Sequence, residues 1–146
     1  MDAALIRHVW ERANRRCEYC QLSQVFDERP FEIDHIISEK HQGPTVARNL
    51  ALSCFRCNSF KGSDISGIDR TTRSLMPLFN PRRQKWARHF RWQGAILVGR
   101  TPVGRVTVSV LRINDPFRVA VRQALIDEGV FPPDRSDPTQ SPASSR

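Results

Sequence analysis

Residues 54–62 read CFRCNSFKG. A Cys-x-x-Cys turn runs directly into a short helical stretch that Gly62 would close. One such turn offers two thiolates, half of the tetrahedral shell that zinc takes. The other half stands upstream as CEYC at 17–20, so that Cys17, Cys20, Cys54 and Cys57 are all the cysteines of the chain. Two knuckles supply the four soft ligands of a closed structural zinc site. A redox dithiol would need only one of the turns, and disulfides do not suit a cytosolic chain. Four thiolates leave no open coordination position, so this zinc holds structure and does no chemistry.

Between the knuckles lies FEIDHII at 31–37, which reads as a strand with an acid and an imidazole inside an apolar run. Asp34-His35 has two readings: an ion pair within the core, or a catalytic pair. Neighbouring residues of a regular strand point to opposite faces, so the two cannot both address one ion without local distortion. The zinc favours the catalytic reading, because it pins the segment before the strand to the start of the helix that follows Cys54. Asp34 and Asn58 are thereby brought into range despite their separation in sequence.

In this order, Cys17-x-x-Cys20, Asp34-His35, Asn49, Cys54-x-x-Cys57-Asn58 and Lys61-Gly62 resemble the HNH endonuclease family in its zinc-knuckle form, over about residues 10–64. The later segments LFNPRRQKWARHFRW and GRVTVSVLRIN resemble the region after the motif in bacterial stand-alone members. The resemblance implies an α+β fold: a ββα-metal core with a four-cysteine structural zinc, flanking helices and an extra β-hairpin. It further implies that His35 is the general base, that Asn49 orients the loop or the base, and that Asp34 and Asn58 hold one catalytic ion. The third motif position is often His; here it is Asn58, which would bind through its amide oxygen. Phosphodiester hydrolysis needs an activated water, a cation against the pentavalent phosphorane and a stabilised 3′ oxygen. A carboxylate with an amide oxygen is a hard donor set, suited to Mg²⁺ or Mn²⁺.

The charge distribution agrees with a polyanionic substrate. The 146 residues carry a formal charge of +8, and Arg70 to Trp92 contains seven bases and no acid. Arg82, Arg83, Lys85, Arg88 and Arg91, together with Lys61, are expected on the DNA backbone. His41, in the loop after the strand, is a further candidate for the phosphate or the metal. No apolar run reaches the length of a membrane span, and the start reads as an amphipathic helix to Arg15 rather than a signal peptide. A cytoplasmic protein is the default.

Residues 1–131 are expected to form one nuclease domain, with its core at 10–64 and a basic extension at 65–131, before a disordered tail at 132–146. Within the extension, PRRQKWARHF should be helical and HFRWQGAILVG a hairpin turning at Gln93-Gly94. Thr101-Pro102 and Asp115-Pro116 should open two more helices, the second burying Phe117, Val121, Ala124 and Leu125. Two rivals stand beside the DNA nuclease: a zinc-knuckle module that binds DNA without cutting, and a nuclease directed at RNA. Dimerisation to cut both strands stays open at this level.

Overall fold

The computed structural model describes residues 1–133; all but the first two residues of the expected tail lie outside them. Helix α1 (Ala3–Arg12) starts where the Asp2 side chain accepts the Leu5 N–H at 2.8 Å, a cap of about 1 kcal/mol. It stops short of Arg15 because Asn14 and Arg15 take positive φ and turn the chain into the first knuckle.

Strand β1 (Glu32–His35) pairs antiparallel with β2 (Leu50–Ser53), placing His35 opposite Leu50 and Asp34 opposite Ala51. Helix α2 (Phe55–Lys61) follows at once, with Cys54 as its cap and Gly62 at its end. This β1–β2–α2 unit is the expected ββα core of an α+β fold. All four β2 residues are buried, and Leu50 and Leu52 pack with Val9, Tyr19, Phe79 and Phe90 in the central core.

The extension adds two hairpins and three helices. Strands β3 (Ser66–Ile68) and β4 (Leu75–Pro77) form the first hairpin, for which the sequence carries no clear period. It lies tightly on helix α4 (Pro102–Val110): a Cβ on Gly67 would stand 2.9 Å from the Val110 side chain. Helix α3 is only Trp86–His89. The stretch before it is a turn that Asn80 and Gln84 hold, since the Gln84 side-chain carbonyl takes the Asn80 N–H and that of Asn80 takes the Arg82 N–H. Strands β5 (Phe90–Gln93) and β6 (Ile96–Gly99) make the expected hairpin. Its register pairs Gln93 with Ile96, however, so Gly94-Ala95 is the turn and Gly94 supplies the positive φ.

Thr101 caps α4 by accepting the Gly104 N–H, and Asp115 caps helix α5 (Pro116–Asp127). The buried face of α5 is not the expected apolar stripe. Arg118, Arg122 and Leu125 point inward, while Phe117 is 57% exposed. The cause lies at the four-cysteine cluster. Among the described residues, no helix is long and apolar enough to cross a membrane.

Candidate active site and zinc centre

The four cysteines converge. All are buried, their Sγ atoms lie within 4.8 Å of one another, and Cys20 and Cys54 are 3.8 Å apart. That spacing fits the edges of a tetrahedron whose Zn–S bonds are about 2.3 Å. Zinc with four thiolates carries a net charge of about −2, which is costly in a core unless it is paired. Helix α5 provides the pairing. Arg118, 5% exposed, donates to Cys57 Sγ at 2.9 Å and reaches Cys54 Sγ at 3.8 Å. Burial alone would lower its pKa, yet the thiolates outweigh that and hold it above the ordinary value. Arg122, one turn on, ties the same face to Ala95 O and Ile113 O. The four-residue spacing of these arginines was the available signal, and their charge concealed it as a core face.

The Asp34-His35 pair divides its two readings between its members. Asp34 turns into the core, 4% exposed, where Tyr19 Oη donates to one oxygen at 2.7 Å and Lys61 Nζ to the other at 3.1 Å. Burial pushes its carboxyl up from the ordinary value, against the Lys61 charge and the Tyr19 hydroxyl. Lys61 is therefore not on the surface for DNA: it is 1% exposed and also donates to His35 O at 3.0 Å. Replacing it with Met would leave the buried carboxylate without its cation. Lys61→Met is expected to cost about 3–5 kcal/mol, read as a lower urea midpoint. An unchanged midpoint would mean that Asp34 is solvated in solution.

His35 looks the other way, with its side chain 20% exposed. Its Nε2 lies 2.8 Å from Thr45 Oγ1 and 4.0 Å from the Glu39 carboxylate. Asn49 is buried and holds the loop between the strands: it accepts the Ile37 N–H and donates to Ile37 O and Pro44 O. Asn58 stands half-buried on α2 and donates its amide to Glu32 at 2.5 Å. Glu32 is exposed and shares the α2-facing side of β1 with Asp34. Asp34 and Asn58 thus turn to different hydrogen-bond partners. With both Asp34 oxygens engaged, an ion held by that pair would have to compete with the Lys61 ammonium.

The basic residues separate by environment. Arg82 is largely buried, paired with Glu18 and donating to Leu50 O. It braces the first knuckle against β2 instead of facing DNA. Arg83, Arg88 and Arg91 are exposed, as are Arg70 and Arg73, and Lys85 is half-buried. His41 is exposed at the end of a 3-10 turn. Trp86 and Trp92 are partly buried and donate their indole N–H groups to Tyr19 O and Gln21 Oε1, so they hold the first knuckle.

Residues 17–64, which hold both knuckles and the β1–β2–α2 unit between and beside them, match the family model described as HNH endonuclease. The Septu protein PtuB of Bacillus thuringiensis is 29% identical over 118 residues, which cover 80% of this chain and 43% of that protein. The chain thus spans less than half the length of that curated relative. No solved structure matches the chain at a significant level.

Proposed function

We propose, because residues 17–64 match the HNH endonuclease family model, that the protein hydrolyses phosphodiester bonds of DNA with His35 as general base. The observation that supports this most is the placement of His35. It ends β1, opens to solvent on the side away from the core ion pair, and has one ring nitrogen engaged by Thr45. The other nitrogen is left for a water. That water gives a proton to the ring as its oxygen bonds phosphorus; the 3′ P–O bond breaks and the leaving oxygen takes a proton from solvent. A neutral imidazole carries the lone pair that can take a proton from water.

Asn49 keeps the loop and the ring in place. Arg83, Arg88 and Arg91, with Lys85, would grip backbone phosphates, an attachment that carries little sequence information. A bound Mg²⁺ or Mn²⁺ would supply a Lewis acid for the charge on the phosphorane. Asn58 and Glu32, hydrogen-bonded to each other, are the oxygen donors on the exposed side of α2; Asp34 would join them only by giving up Lys61.

The closure of Asp34 favours one second reading, a domain that binds DNA through its basic surface and does not cut. One assay separates them. Supercoiled plasmid and, in parallel, RNA are incubated with the protein with and without Mg²⁺ or Mn²⁺. Nicked or linear plasmid appearing only with the ion supports the nuclease. Gel retardation without cleavage supports the binding module, and preferential loss of RNA would move the substrate class.

A further inference from the structure

The loop joining β1 to β2 is closed by its own hydrogen bonds. Besides the Asn49 clamp on Ile37 and Pro44, the Gly43 N–H donates to Ser38 O at 2.9 Å. A Cβ on Gly43 would lie 1.7 Å from Ile37 O, so the loop closes only with glycine there. Pro44 is thereby fixed, and the next residue brings its hydroxyl to His35 Nε2 at 2.8 Å.

We propose that Thr45 is a positioning residue: it accepts the Nε2–H of His35, leaves Nδ1 as the nitrogen that takes the proton from water, and transmits the effect of Asn49 to the reaction. This rests on the reading of His35 as base. A neutral imidazole has one N–H and one lone pair, and the partner of one nitrogen decides which is which. A hydroxyl can donate or accept, so Thr45 alone is ambiguous. The Glu39 carboxylate at 4.0 Å from Nε2 tips it, because negative charge there favours the protonated nitrogen. When Nδ1 takes up the water's proton, the new positive charge also faces Glu39. The Asn49 amide is occupied by Ile37 and Pro44, and its bond to Pro44 sets the residue that does touch the ring.

The test uses the full chain with ¹⁵N-labelled histidine; the chain has four histidines, and loss of one signal set in His35→Ala assigns the ring. In the wild type the His35 proton should sit on Nε2 and be protected from solvent exchange. Thr45 is exposed, so its replacement leaves the core alone. Thr45→Val should remove that protection, mix the two tautomers and lower kcat about 10–100-fold, with KM nearly unchanged. Thr45→Ser keeps the hydroxyl and should restore both spectrum and rate. A wild-type proton on Nδ1 overturns the proposal, as does a Thr45→Val protein with the wild-type ring spectrum, whatever its rate. A wild type that cleaves no nucleic acid overturns the nuclease reading and with it the link to the reaction. The ring spectrum still decides where the proton sits.

Discussion

His35→Ala is expected to lower plasmid cleavage by about 10²–10⁴-fold, the usual contribution of a positioned general base, while zinc content, thermal midpoint and DNA affinity stay near wild type. The separation follows from where the ring lies. Its polar neighbours are Thr45 and Glu39, both exposed, and the buried contacts of β1 run through Asp34 on the opposite side. Truncation therefore opens no cavity in the central core and leaves the cysteines untouched. Phosphate binding is assigned to arginines elsewhere, so the loss should fall on kcat and not on KM. The measurement is a single-turnover nicking assay beside zinc analysis and gel retardation. Wild-type cleavage by this variant excludes His35 as the base, and cleavage lost together with zinc would show that the ring is structural.

Stripping the zinc is expected to unfold the domain. Structural zinc contributes apparent free energies of about 10–16 kcal/mol, at or above the roughly 5–15 kcal/mol by which whole domains are stable. Here the effect is amplified by α5. With the ion gone, Arg118 remains buried against the Cys54 and Cys57 sulfurs, and the four thiolates must either protonate or repel one another. If they protonate, Arg118 loses the charge that keeps it in the core. A zinc-selective chelator, followed by Mg²⁺ at its original level, should release the metal and erase the tertiary signal of Trp86 and Trp92, which hang on the first knuckle. Release of zinc with an unchanged unfolding transition would contradict this. Arg118→Leu should show a weaker form of the same failure, with faster loss of zinc to a competing chelator.

Much of this fold was legible because local signals and the metal agree. The Cys-x-x-Cys pairs, the Gly62 stop, and the Thr101-Pro102 and Asp115-Pro116 caps each mark an element that the structure contains. The hidden parts had non-local causes. The stripe of Phe117 and Val121 follows the rule that apolar residues face inward, but the four-cysteine cluster inverts that rule and draws arginine into the core. Lys61 reads as a surface lysine until Asp34 is known to be buried opposite it. Thr45 carries no motif at all; only the closure of the loop by Asn49 and Gly43 brings it to the ring. The helix expected from Pro81 was cut short because Asn80 and Gln84 bind each other's backbone neighbourhood as a turn.

The contacts on the first knuckle set a limit on how the motif can be handled. Glu18 is held by Arg82, Tyr19 by Trp86, Gln21 by Trp92 and Cys57 by Arg118, so four points on the zinc module are gripped from beyond residue 64. The stretch that kinship recognises is thus shorter than the stretch that stands up mechanically. A graft of the recognisable segment alone would inherit the ligands and the candidate base, but also an unbalanced anion and a knuckle without its braces.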